Sequence, residues 1–193
     1  MRRILVAVVA LAIAPAIGIF TSTPVTAAAG HCTISGTAYA DTLNGTPGDD
    51  VICGGGGADT IHGRGGNDTI FGGTGRDTLD GGAGADNLQG AAQTDLVLGG
   101  PGPDVVRGGS GADLVNGGRG NDAAFGGHGP DIVTGVIGND VVVGGPGDDT
   151  CLDVEDGVDG NDRVNGGPGF DHYQADPGDF HRFAEVLGPC IPE

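Results

Sequence analysis

The chain has 193 residues, 43 of them glycine, with 26 acidic and 8 basic side chains and a net charge of −18. That sign excludes recognition of a nucleic-acid backbone, and the absence of lysine excludes a Walker-type phosphate loop and Schiff-base chemistry. So much glycine without the three-residue period of collagen points to a special repeat or to low complexity, and aromatics at 4% leave no aromatic-centred core.

Residues 1–29 read as a secretory signal peptide. Met1, Arg2 and Arg3 form the basic start, Ile4 to Phe20 is an apolar run broken only by Pro15, and small residues offer cleavage after Ala27 or Ala29. An uncleaved anchor is the alternative, but the run is marginal for the roughly 20 residues a span needs. His31 rather than a small residue precedes Cys32, which argues against a lipidated cysteine.

Residues 30–35 read as an N-terminal cap segment, after which the chain becomes periodic. Residues 36–152 divide into thirteen contiguous nonapeptides. Good copies are GGGGADTIH from Gly54, GGTGRDTLD from Gly72 and GGSGADLVN from Gly108. Residues 153–156 are an insertion, residues 157–174 hold two further copies, and 175–193 form a C-terminal cap with Phe180, Phe183, Val186 and Leu187 to cover the last coil.

In all fifteen copies the first position is glycine and the sixth is aspartate: Asp41, Asp50, Asp59, Asp68, Asp77, Asp86, Asp95, Asp104, Asp113, Asp122, Asp131, Asp140, Asp149, Asp162 and Asp171. The fourth is glycine except at Tyr39 and Gln93, where the turns are expected to be poorer. The eighth is mostly aliphatic, from Leu43 and Ile52 to Val142 and Val164, with Ala124, Cys151 and Tyr173 as variants.

Glycines permit positive φ and a tight turn with bare carbonyl oxygens. An aspartate beside such a turn adds a hard anionic oxygen, and carbonyls with carboxylates suit a hard cation of flexible coordination, Ca2+. The seventh to ninth residues then form a short strand whose middle side chain faces inward. Two nonapeptides make an 18-residue coil. Stacked coils place identical turns about 4.8 Å apart, so a cation fits between turns two repeats apart. One aliphatic side chain per strand makes a thin core, and the metal has to supply the missing free energy.

Four cysteines follow the leader, which suggests two disulfides in an exported chain. Three pairings are formally open, and position along the chain favours Cys32–Cys53 and Cys151–Cys190. A zinc knuckle would need two cysteines closer together than any here.

Other sites find little support. Ser110 lacks the glycine a nucleophile elbow needs two residues later. There is no HExxH helix. Paired acids such as Asp49 with Asp50 and Asp148 with Asp149 recur as repeat positions, so a calcium or solvated role is favoured over a glycosidase dyad. The seventh and ninth positions should face outward, yet Leu96, Leu98, Val105, Leu114, Phe125, Ile132, Val141 and Val143 are apolar. An exposed apolar surface marks a contact, here self-association or a surface or matrix partner.

The nonapeptide resembles the GGxGxDxUx repeat of the RTX, or haemolysin-type calcium-binding, family. The resemblance covers Gly36 to Gln174. It implies an all-β parallel β-roll, a β-solenoid of 18-residue coils, with several Ca2+ ions held between turns by the sixth-position aspartates and turn carbonyls. Large members of that family carry a separate effector domain and lack an N-terminal leader, and both features differ here. The expected function is a secreted, non-enzymatic calcium-binding protein, extracellular or at the cell surface, that folds on binding Ca2+ into a rigid structural or adhesion element. An accessory module of a secreted hydrolase or polysaccharide-modifying enzyme is the alternative.

Overall fold

The computed structural model describes residues 32–149, 151–153, 162–174, 180–182 and 186–187. The leader, most of the insertion and Cys190 lie outside the described residues, and so does the Cys151–Cys190 pairing. Two short strands come first, β1 (Ile34–Ser35) and β2 (Thr42–Asn44). Six-residue strands follow at a nine-residue period: β3 (Val51–Gly56), β4 (Thr60–Gly65), β5 (Thr69–Thr74), β6 (Thr78–Ala83), β7 (Asn87–Ala92), β8 (Leu96–Pro101), β9 (Val105–Ser110), β10 (Leu114–Arg119), β11 (Ala123–His128) and β12 (Ile132–Ile137). The last are β13 (Val141–Val143), β14 (Cys151–Asp153), β15 (Arg163–Asn165), β16 (His172–Gln174), β17 (Phe180–Arg182) and β18 (Val186–Leu187). Among the described residues there is no helix, and none long and apolar enough to cross a membrane.

Odd-numbered strands form one nine-stranded sheet and even-numbered strands another, and every pairing is parallel. The register is fixed at one coil: Ile52 faces Ile70 and Ile61 faces Leu79. This is the parallel β-solenoid that the 18-residue period implies.

Each six-residue strand runs from the seventh position of one repeat through the third of the next, twice the length expected from the pattern. Gly55 pairs with Gly73 and Gly56 with Thr74, so the glycine positions join the ladder and only the fourth to sixth residues turn. Bare backbone lets adjacent coils approach there. A Cβ at Gly81 would lie 2.6 Å from Asp86 Oδ2 and 2.7 Å from the Gly99 carbonyl, too close for any side chain.

Burial alternates along the strands. The eighth residues form two facing files, Ile52, Ile70, Leu88, Val106, Ala124, Val142 and Val164 opposite Ile61, Leu79, Val97, Val115 and Val133, all 0–2% exposed. Ile34 and Leu43 extend the files at the N-terminal end. The same end is stapled by a Cys32–Cys53 disulfide, with 6.0 Å between the Cα atoms. It ties the edge strand β1 to its neighbour β3, where Ser35 lies opposite Cys53.

Near the other end the register slips by one residue. Leu152, not Cys151, pairs with Val133, and Cys151 pairs with Ile132. The eighth residue of that repeat, Cys151, therefore stands beside a seventh residue, Ile132, and the ninth, Leu152, beside the eighth, Val133. The two strands of the tail continue the sheets. β17 pairs with β15 and β18 with β16.

The single-file core has no second layer to collapse into a void. Leu88→Ala should lower the stability of the folded chain by about 2–5 kcal/mol in denaturant titration, whereas Leu114→Ala, on the surface, should change it by less than about 0.5 kcal/mol.

Candidate metal centres

The sixth-position aspartates stand in two columns, one along each edge of the roll. One runs Asp41, Asp59, Asp77, Asp95, Asp113, Asp131, Asp149 and Asp171. The other runs Asp50, Asp68, Asp86, Asp104, Asp122, Asp140 and Asp162. Each backbone N–H donates to Oδ1 of the aspartate one coil on: Asp59 to Asp77 at 2.9 Å, Asp77 to Asp95 at 2.8 Å, Asp86 to Asp104 at 2.8 Å. The columns cross the insertion, where Asp140 donates to Asp162 and Asp149 to Asp171 at a separation of 22 residues instead of 18.

From Asp59 to Asp149 these side chains are 0–2% exposed. One oxygen of each is engaged by the ladder. The other, Oδ2, has no hydrogen-bond partner at Asp59, Asp68, Asp77, Asp86, Asp95, Asp104, Asp113, Asp122 and Asp149. It faces the first glycine of its own repeat and the carbonyl of the first glycine one coil on: at Gly117, Asp122 Oδ2 and the Gly135 carbonyl both lie within 3.0 Å of where a Cβ would sit. Two acceptors thus converge on one small volume.

A buried carboxylate without a counter-charge is costly, and it responds by taking up a proton. Burial pushes Asp95, Asp104 and Asp131 up from the ordinary 3.8 to about 7, and Asp122 and Asp149 to about 6, against the backbone hydrogen bond that each accepts. Neighbouring carboxylates in the column add to the rise at Asp95 and Asp104.

The donor set is carboxylate and carbonyl oxygen, which fits a hard divalent cation. Among the described residues no three His, Cys, Asp or Glu side chains cluster, and an ion between turns would have to draw on single carboxylates and backbone carbonyls. A cation would neutralise the column and engage the oxygens that nothing else engages. A family model described as the RTX calcium-binding nonapeptide repeat (4 copies) matches residues 33–61, 62–97, 89–124, 125–152 and 156–178. The chain belongs to this family. No curated protein matches it. It is thus a calcium-binding repeat protein folded as a β-roll.

Two expectations about individual turns change. Gln93, read as a defect, holds a φ of 77° and keeps the turn of its glycine-bearing neighbours. Arg64, Ala91 and Val136 also adopt positive φ at the second position, with values of 80°, 92° and 87°. The stacked coils impose the conformation even on a β-branched residue, for which it is a genuine outlier. The turns that do differ are the first two. Asp41 Oδ2 accepts from the Thr37 N–H at 2.6 Å and its hydroxyl at 2.8 Å. Asp50 Oδ2 accepts from the Thr46 N–H at 2.6 Å and its hydroxyl at 2.9 Å. These bonds hold the Asp50 carboxyl below its ordinary value, opposite to Asp68, Asp86, Asp104 and Asp122 in the same column, which burial raises. The signal for this in the sequence is threonine where most later repeats carry glycine at the second position.

In chelator the metal-free roll should respond to pH in one direction. The folded pKa of the buried aspartates lies above the unfolded value, so between about pH 4 and 7 the folded chain binds more protons and loses stability as pH rises. In saturating calcium the direction should reverse, because acid protonates the ligands and releases the ion. Circular dichroism from pH 8 down to pH 4 should show β-structure rising with acid in EDTA and falling with acid in calcium.

Proposed function

We propose that this chain is a secreted calcium-binding protein whose folding is coupled to Ca2+ uptake between stacked turns. The observation that carries the reading is the file of buried aspartates whose second oxygens face carbonyls and no donor. Without ions the chain has too many glycines to order and too thin a core. With them the columns become the main cohesive element. Calcium suits the site better than magnesium, which demands stricter geometry and keeps its water.

On this reading residues 1–29 direct export and are removed, and residues 36–152 and 157–174 form the calcium-dependent body around the 153–156 insertion. Residues 30–35 and 175–193 are end caps, with Cys151–Cys190 as a second clamp. Extracellular modules bind calcium at about 10⁻⁴–10⁻³ M, so the chain would order on reaching a calcium-rich medium. The ordered product is a rigid, non-enzymatic structural or adhesion element, extracellular or at the cell surface.

The outward apolar residues divide between two faces. Leu96, Leu114 and Ile132 are in register on the even sheet, line a shallow groove of about 470 Å3 with Arg76, Thr94, Ala112 and Pro130, and lie beside Leu98. Leu114 and Ile132 are about 40% exposed. Val105, Phe125, Val141 and Val143 lie on the odd sheet, half-buried, and there Arg107 stacks over Phe125 at 5.3 Å. The even face is the one we assign to side-by-side self-association.

At pH 8 circular dichroism should show coil in chelator and β-structure on adding calcium. Replacing Asp86, Asp104 and Asp122 together by Asn should raise the calcium midpoint about tenfold or more, and Asp80→Asn, on the surface, should leave it in place. Equal effects would remove the assignment of the columns. Sedimentation in millimolar calcium should show a dimer that Leu114→Asp with Ile132→Asp returns to monomer. A wild-type chain that stays monomeric defeats the self-association.

A further inference from the structure

We infer that the first two turns of the roll are closed by threonine instead of metal, so that the series of ion sites starts at the third turn, with Asp59. The inference rests on the calcium reading above. It concerns which turns take ions, not whether ions bind.

The division is made by the backbone of the second residue. In the body of the roll that residue has positive φ, and its N–H points along the stack: Gly127 donates to the Gly144 carbonyl at 2.8 Å and Gly145 to the Gly166 carbonyl at 2.8 Å. In the Gly145 turn, Asp149 Oδ2 has no hydrogen-bond partner. Thr37 and Thr46 are not among the positive-φ residues. Their N–H groups turn inward to Asp41 and Asp50, and their hydroxyls add a second donor to the same Oδ2. Each hydroxyl also accepts from a backbone N–H two residues on, Tyr39 at 3.1 Å and Gly48 at 3.2 Å, which sets the shape of the turn. Two donors thus occupy the oxygen that in Asp59 has none.

Position along the stack does not make the difference, because the first turn on each edge has its neighbour one coil on: Asp41 Oδ2 and the Gly54 carbonyl both flank Gly36, and Asp50 Oδ2 and the Gly63 carbonyl both flank Gly45. The carbonyl that would share an ion is in place, and it is the threonine donors that already occupy the carboxylate oxygen. The same end carries the other covalent and polar fastenings. Thr33 donates its hydroxyl to Asp50 Oδ1 at 3.2 Å and its N–H to the Val51 carbonyl at 2.7 Å, and Cys32 is bonded to Cys53. Together they make an end piece whose polar groups are satisfied before any ion arrives, on which the first ion-dependent coil can stack.

The test is calcium stoichiometry by native mass spectrometry and equilibrium dialysis on the full mature chain. Asp50→Asn should leave the number of bound ions and the calcium midpoint, within about twofold, as in wild type. Asp95→Asn should lose at least one ion. Thr46→Gly removes both the hydroxyl and the bias against positive φ, and should gain one ion or raise the midpoint severalfold. Amide exchange in calcium gives a readout independent of variant folding: stripping ions slowly with chelator should expose Gly127 and Gly145 before Thr46. Loss of an ion in Asp50→Asn equal to that in Asp95→Asn, or exposure of Thr46 together with Gly127, overturns the inference. A wild-type chain that binds no calcium at all overturns the calcium reading itself, and is recognised before any variant is compared.

Discussion

The structure depends on what engages the second oxygen of a buried aspartate. A carboxylate excluded from water must be neutralised, paired or coordinated. Here the ladder supplies one donor per carboxylate, the N–H of the aspartate in the preceding coil, and places carbonyl oxygen against the other side. Any side chain at the first position would collide with the carboxylate and the carbonyl, as at Gly117. The columns are therefore an assembly that a cation or a proton would complete, and on the proposed reading the cation does so at neutral pH in a calcium-rich medium.

That constraint explains features that look independent in the chain. Glycine at the second position sends an amide away from the aspartate, and threonine at the same position sends it back. On the inference drawn above, one backbone torsion separates turns that take an ion from turns that do not. The hydrophobic files run between the columns with one modest side chain per strand, enough to set the inward face but too few to hold the coil closed alone. The Cys32–Cys53 bond, the Thr33 contacts and the threonine turns are gathered at the end where a stack has no preceding coil. A solenoid needs such an end piece because its open edge otherwise presents unpaired strand and apolar core.

The sheets also reassign the surface. Apolar residues that follow one another along the chain alternate between opposite faces, since consecutive strands belong to different sheets. Only residues two repeats apart are neighbours. Leu96, Leu114 and Ile132 therefore make one stripe, while Val105, Phe125 and Val143 belong elsewhere. The Arg107–Phe125 stacking and the Arg107 hydrogen bond to Asn87 at 2.9 Å cover part of the second face, leaving the first as the more open one.

The period of nine, the inward eighth residue and the aspartate columns are legible in the chain because a solenoid repeats one local environment, and each position keeps one chemical character in every copy. Ile70, Leu79 and Asp95 sit where their position in the repeat requires. Properties that belong to contacts between coils were decided by the tertiary structure alone. The strands lengthen through glycines such as Gly55 because a neighbouring coil offers hydrogen bonds that a single repeat lacks. Gln93 and Val136 accept positive φ because the stack above and below demands that turn. Leu152 instead of Cys151 stands beside Val133 because a strand chooses its register against its partner. The threonines of the first two turns matter through the direction of one N–H, a torsional choice that composition and spacing leave open.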